Sequence, residues 1–328
     1  MRAPKQSRFG AWLAVALTSV AAFGLAGSAW RAFNAEGPLP VQSSVMIRRG
    51  ADLDDISRFL QQRGIIGDAS LFRLGARVLG KTRSLRAGEF AIPARASQRA
   101  VLDILANGQA VVRRVQAIEG LTSYEFMDIM AACEGLEHDT DEVPPNGSLM
   151  PDTYYYAWGD RRSSLIARMK LEMKRYLDHA WEHRAPGLPF NSPQEAVVLA
   201  SIVERETPIP AERPRVASVF VNRLTTGMRL QSDPTVIFAL TGRSRMGRAL
   251  TYDDLRVAHP YNTYTSDGLP PEPICNPSRA SIEAVLHPDK TEFLYFVANG
   301  DGGHNFTRTY AEHLKQVAGW RKVQGKKR

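Results

Sequence analysis

Cysteine is nearly absent: Cys133 and Cys275 are the two in 328 residues. They lie far apart in no C-x-x-C spacing, which removes a zinc knuckle and a disulfide framework and leaves one Cys133–Cys275 bridge open in an oxidising compartment. A G-x-S-x-G elbow is missing too, which removes a serine nucleophile of that design, and Ser201 inside an apolar run reads as a packing residue. The glycine-rich "NGDGGHNF" lacks the strand, glycine loop and helix order of a phosphate cradle and fits a tight connection between strands. Internal repeats are not evident. No long block of one charge sign occurs either; the net charge of +8 is spread along the chain apart from short basic clusters at the two ends. That argues against a nucleic-acid binder and suits an anionic polymer equally well. What is present, 44% hydrophobic and 23% charged residues, is the composition of a folded chain long enough for about two domains.

One long uncharged run stands out. Arg2, Lys5 and Arg8 precede "FGAWLAVALTSVAAFGLAGSAW", whose 22 residues match a helix crossing ~30 Å of hydrocarbon. The positive flank predicts residues 1–8 in the cytoplasm, a spanning helix over 9–30 and export of everything after it. The small residues Gly27 to Ala29 leave a cleaved signal peptide as the competing reading. The run exceeds the roughly 7–15 residues of an ordinary signal core, which favours the anchor.

Residues 31–44 have the Pro, Gly and small polar residues of a linker. The next segment, 45–118, alternates short strands and helices. "SVMIRRG" reads as a strand, and "DLDDISRFLQQRG" as an amphipathic helix with Leu53, Ile56 and Leu60 on one face. "DASLFRLGARVLG" is a second helix capped by Asp68. "AGEFAIP" is a strand, "SQRAVLDILANG" a helix ending at Gly108, and "AVVRRVQAI" a strand. Without a catalytic cluster this segment looks like a binding or spacing module.

Residues 119–320 read as a larger, mostly helical α+β domain, followed by a basic tail at 321–328. Thr122 and Glu125 form a capping box, and Leu165, Met169, Met173 and Tyr176 mark the packed face of a long helix. Asp233 reads as a helix N-cap ahead of Pro234. "FLYFVANGDGGHNFTRT" is a hairpin, and a last helix starts at Tyr310.

Two short patterns could carry chemistry. "HAWEH", His179 to His183, has the spelling of a helical zinc motif. It sits just before Pro186, where histidines complement a helix C-terminus, and no third ligand is indicated. "LASIVERET" sets two glutamates one residue apart in a helix that starts at Ser192, Pro193 and Glu195. At ~100° per residue Leu199, Ile202 and Val203 form a stripe that Glu206 continues, whereas Glu204 falls off it and reads as solvated. A carboxyl at the rim of an apolar pocket keeps its proton towards neutral pH and can donate it. The alternative is a glutamate paired with Arg213 or Arg223.

"LASIVERET", "VASVFVNRL", "GMRLQSDPTVIFAL", "YNTYTSDGLPPEPICNPS" and "FLYFVANGDGGHNF" resemble the MltG/YceG-like family of endolytic murein transglycosylases. "EGL" at Glu119 to Leu121 and "MPDTY" at Met150 to Tyr154 match as well, and "IRRGADLDDISRFLQQRGII" is similar to the LysM-like region of such proteins. Where many members read "EGYLFPDTY" this chain reads "NGSLMPDTY". The resemblance implies a single-pass inner-membrane protein with a LysM-like subdomain and a periplasmic lytic-transglycosylase domain. It implies Glu206 as the one catalytic acid and base, and a sugar groove lined by Gln231, Asp233, Asn262, Tyr264, Asn276 and Asn305. Asp233 has its other reading as a helix cap, and Asn262 and Tyr264 theirs as loop-formers. Glycan strands of peptidoglycan are the implied substrate and a peptidoglycan synthase the implied partner, with no nucleic acid, metal or cofactor. A hydrolysing muramidase and a non-catalytic glycan-binding protein remain the alternatives.

Overall fold

The structure, a computed structural model, describes residues 6–326. It divides into two units: one runs to Arg113 and takes back Ala157–Gly159, and the other comprises Arg114–Tyr156 and the chain from Asp160.

The first unit contains α1 (Gln6–Asn34), β1 (Ser43–Ile47), α2 (Leu53–Gln62), α3 (Ala69–Val78), β2 (Gly88–Ile92) and α4 (Gln98–Asn107). β1 and β2 pair antiparallel with Val45 opposite Phe90 and Ile47 opposite Gly88. Alternate side chains Val45, Ile47, Phe90 and Ile92 point into one core with Ile56, Leu60, Phe72, Leu102 and Leu105, as the two-residue period of a half-buried strand requires. Asp68 caps α3 by accepting from the Ser70 and Leu71 amides, and the Ser97 hydroxyl caps α4. The linker expected at 31–44 is partly helical, because α1 continues to Asn34 and both Phe33 and Leu39 are buried in this core. A β-carbon on Gly75 would lie 2.4 Å from the Phe33 ring, so α3 accepts Phe33 only because that position has no side chain.

α1 covers the uncharged run, and Trp12, Val20, Phe23 and Leu25 on it are exposed. Among the described residues no helix is long and apolar enough to cross a membrane. The spanning helix expected at 9–30 is therefore a helix whose passage through a bilayer the fold does not establish.

The second unit holds all but the ends of β3 (Val112–Gln116) and β4 (Thr153–Ala157), with α5 (Ser123–Ala131) between them, followed by α6 (Arg162–Glu182), α7 (Pro193–Glu206) and α8 (Arg213–Thr225). Then come α9 (Asp233–Thr241), α10 (Arg279–Leu286), β5 (Tyr295–Ala298), β6 (His304–Thr307) and α11 (Tyr310–Lys326). β3 pairs with β4, and β5 with β6 as an antiparallel hairpin. The tail expected from 321 continues the last helix to Lys326.

α7 is central: it packs against α6, α8, α9 and α10, and every residue from Ala196 to Glu204 is buried. The Ser192 hydroxyl accepts from the Glu195 amide at 3.2 Å, Glu195 accepts in turn from the Asn191 amide at 2.7 Å, and Pro193 fills the first turn. Burying Leu199, Ile202 and Val203 completely, at about 1.5–3 kcal/mol each, outweighs the helix preference that β-branched residues give up. The central position of α7 in the packing makes its last turn a rigid platform.

Candidate active site

The two glutamates at the end of α7 have opposite environments. Glu204 is 8% exposed and fully satisfied: Arg213 Nη2 lies 3.0 Å from its Oε1, and the Ser278 amide and hydroxyl donate to its Oε2 at 2.8 and 2.5 Å. The expectation that Glu204 is solvated is corrected. Because α7 is surrounded, leaving the apolar stripe does not lead to water, and Glu204 reaches a neighbouring helix instead. The arginine pairing considered for Glu206 belongs to Glu204.

Glu206, the last residue of α7, is partly exposed. Its Oε1 accepts a short hydrogen bond from the Ser232 hydroxyl, and no described residue hydrogen-bonds Oε2. Burial pushes its carboxyl up to about 7. The Ser232 bond opposes that rise, Asp233 adds to it, and Arg223 and Arg205 oppose it. The neighbours nearest the carboxyl are thus polar and charged, although the helix below is apolar. A carboxyl in this state is part protonated near neutral pH and can give up a proton and take one back.

Ser232 precedes α9 and is its N-cap residue, with no side-chain capping bond. Asp233, expected as the cap, is instead the first helical residue, so its carboxylate is free to accept from the Tyr264 phenol at 2.6 Å. Burial, then the bond to Asp233, raises the Tyr264 phenol pKa. Arg223, 7% exposed, donates to the Leu294 and Leu230 carbonyls at 2.7 and 2.6 Å. Arg205 donates to the Ser244 carbonyl at 2.7 Å. These two fixed cations limit how far Glu206 can be driven towards its neutral form.

Of the residues expected to line a sugar groove, Asp233, Tyr264 and Gln231 lie beside the Glu206 platform. Gln231 is exposed, holds φ at 48° and donates its amide to the Thr263 carbonyl at 3.1 Å. Asn262 and Asn276 are corrected. Asn262 is fully buried, donates to the Leu255 and Val257 carbonyls at 3.1 and 2.8 Å and accepts from the Tyr264 amide at 2.9 Å. Asn276 accepts from the Leu149 amide at 3.1 Å and donates to Ser123 Oγ at 3.0 Å. Both amides are consumed in holding loops, which leaves nothing for a ligand. Asn305 is exposed on β6 and donates to Gln316 at 3.0 Å.

Sequence patterns do not single out Ser232, Thr263 or Arg205, and they offer Arg223 only as an ion-pair partner for a glutamate. The signal available for Ser232 was its place directly before Asp-Pro at a helix start. In "NGSLM", Asn146 accepts from the Ser123 amide at 2.7 Å, so the departure from the commoner spelling is accommodated locally. The histidines of "HAWEH" finish α6, with His183 Nδ1 2.8 Å from the His179 carbonyl, and among the described residues no group of three or more His, Cys, Asp or Glu could hold a metal. Cys133 and Cys275 are both free thiols. A cavity of about 550 Å³ lined by Lys170, Lys174, Gln194 and Pro273 does not include Glu206.

The chain is 40% identical over 173 residues to an endolytic murein transglycosylase of Bacillus subtilis strain 168, covering 52% of this chain and 47% of that protein. A Streptococcus pneumoniae protein of the same name is 32% identical over 177 residues, covering 52% of this chain and 31% of its own. The match thus spans about half of one relative's length and about a third of the other's. The crystal structure of a YceG-like protein from Listeria monocytogenes superposes with a TM-score of 0.52 at 28% identity, covering 84% of this chain and 98% of that one. Residues 45–319 match the profile of the YceG-like family, and with that span covered this chain belongs to the YceG-like family.

Proposed function

We propose that this chain is an endolytic lytic transglycosylase that cleaves the bond between N-acetylmuramic acid and N-acetylglucosamine within peptidoglycan strands, with Glu206 as acid and then base. Protonated Glu206 donates to the glycosidic oxygen as the bond to C1 breaks and an oxocarbenium-like state develops. The carboxylate then accepts the proton of the muramic acid 6-hydroxyl, whose oxygen closes on C1 to give a 1,6-anhydro ring. Water is neither added nor released, and Glu206 ends protonated as it began. The ring closure gains from the high effective molarity of an intramolecular attack. Gln231, Asp233 and Tyr264 contact the sugars from the loop and helix beside Glu206, with Asn305 more peripheral.

The single observation that carries this reading is a partly exposed carboxyl at the end of a buried helix, held on Oε1 by Ser232 and with no described partner on Oε2, in a chain of this family. Mass spectrometry of glycan fragments tests it. The purified chain is expected to leave anhydro ends, lighter by one water than hydrolysed ends, and Glu206→Gln none. Reducing ends from the unaltered chain would instead indicate a muramidase, and binding without cleavage a glycan-binding protein.

The first unit is proposed to bind glycan in a LysM-like manner, with a cavity of about 550 Å³ lined by Met46, Arg48, Gly50, Asp55 and Phe59 as the candidate surface. Attachment to the inner membrane by the N-terminal segment, with the second unit in the periplasm, is likewise proposed, on the flanking positive charges and the exposed apolar residues of α1. Cleavage there would release new strands or set their length, which makes a peptidoglycan synthase the proposed partner. Membrane fractionation of the full chain against one lacking residues 1–30 checks the attachment, and a full chain found wholly in the soluble fraction rejects it.

A further inference from the structure

The peptide and hydroxyl groups around Ser232 form a closed ring. The Ser232 amide donates to Thr263 Oγ1 at 3.0 Å, and Thr235 Oγ1 donates to the Ser232 carbonyl at 2.6 Å. The two threonine hydroxyls are 2.8 Å apart. Thr235 spends its proton on the Ser232 carbonyl, so Thr263 donates across that contact, and every direction in the ring is determined. Ser232, Thr235 and Thr263 are each at most 1% exposed, and buried hydrogen bonds joined in sequence polarise one another. Both backbone groups of Ser232 are consumed by the ring. Its hydroxyl caps nothing and is directed to Glu206 Oε1.

We propose that Ser232 is a positioning residue for the acid: by donating to Oε1 of Glu206 it keeps the transferable proton on Oε2, the oxygen with no partner among the described residues, for delivery to the glycosidic bond. This rests on the reading of Glu206 as acid and base. A donor on Oε1 stabilises the carboxylate, so Ser232 also holds the proton affinity of Glu206 below the level that burial alone would set. It acts alongside the charged groups around Glu206, Arg205 on α7, Arg223 on α8 and Asp233 on α9, and the neutral Tyr264 phenol.

Ser232→Ala, Thr235→Val and Glu206→Gln separate the possibilities, with melting curves confirming that each folds. The Glu206 titration midpoint is read directly by infrared difference spectroscopy against Glu206→Gln, and the pH dependence of glycan cleavage is followed in parallel. Ser232→Ala is expected to raise the midpoint by about one pH unit, the scale of a hydrogen bond to a charged group. The alkaline limb of the pH profile should move up with it, and kcat should fall about tenfold at unchanged KM, because an interaction specific to the reaction is lost. Thr235→Val, which opens the ring but keeps the serine hydroxyl, should move the midpoint the same way and less. An unmoved or lowered midpoint in Ser232→Ala, with Glu206→Gln inactive, overturns this inference alone. Cleavage by Glu206→Gln at the unaltered rate overturns the proposed function and this inference together.

Discussion

Glu204 and Arg213 join the last turn of α7 to the start of α8, with Arg213 Nη2 3.0 Å from Glu204 Oε1 and the two side chains 9% and 3% exposed. Arg213 Nη1 also donates to Ser278 Oγ at 3.0 Å, so one ion pair ties α7, α8 and the cap of α10 together two residues before Glu206.

Removing one partner of such a pair leaves an uncompensated buried charge, which costs about 3–5 kcal/mol. Glu204→Ala is therefore expected to lower stability by that amount in denaturant unfolding, and any loss of activity should follow loss of fold. Glu206→Gln should leave the fold intact at neutral pH. Equal stability of Glu204→Ala and the unaltered chain would show that the pair does not hold the platform.

The raised carboxyl of Glu206 makes stability depend on pH. Its folded pKa of about 7 exceeds the ordinary 4.5, so the folded chain binds more protons across that window. The associated stability is fully present below about 4.5 and is lost as pH rises through about 7. Glu206→Gln lacks this titration. Relative to the unaltered chain it should gain on the order of 2–3 kcal/mol between pH 4 and pH 8, and parallel denaturation curves at both pH values measure the difference.

The β5–β6 hairpin is clamped to the chain just after α7 by Glu212. Its Oε1 accepts from the His304 amide at 2.9 Å, and its Oε2 lies 2.8 Å from His304 Nδ1. A β-carbon on Gly303 would approach Oε1 to 2.6 Å, so glycine is needed for this contact. Burial opposes ionisation of Glu212, but the bonds from His304 outweigh it and lower the pKa. The clamp is thus present above the ordinary carboxyl range and lost as pH falls below it. Glu212→Ala should speed amide exchange at Asn299, Gly303 and His304 by roughly tenfold to a hundredfold, the equivalent of about 1–3 kcal/mol.

Cys275 is fully buried and burial raises its thiol pKa. Its sulfur donates to the Ser201 carbonyl at 3.3 Å. Cys133 is partly exposed. A thiol reagent should therefore modify Cys133 in the native chain and Cys275 only after unfolding, as peptide mapping of the labelled protein would record. Resistance of both thiols until reduction would instead reveal a bridge.

Local signals carried much of this molecule. The Asp68 cap, the Thr122–Glu125 box, the Ser192–Glu195 start of α7 and the β5–β6 hairpin all depend on side chains within a few residues of the backbone they organise, and each was legible in one dimension. Periodicity failed on Glu204, because a helix enclosed on every side has no solvent face for an off-stripe residue to occupy. The Asp-Pro cap signal misplaced the start of α9 by one residue: Ser232 is extended and precedes the helix, while Asp233 is its first residue and accepts from Tyr264.

The order of the elements and the family were determined by the sequence alone, and the proposal of Glu206 in LASIVERET starts there, since caps, turns and motifs are short-range chemistry. Tertiary structure decided which glutamate is tied to an arginine and which is left with a free oxygen, and that Asn262 and Asn276 hold loops. Those outcomes depend on partners brought from up to 155 residues away, as from Asn276 to Leu121, and no local pattern encodes such a meeting.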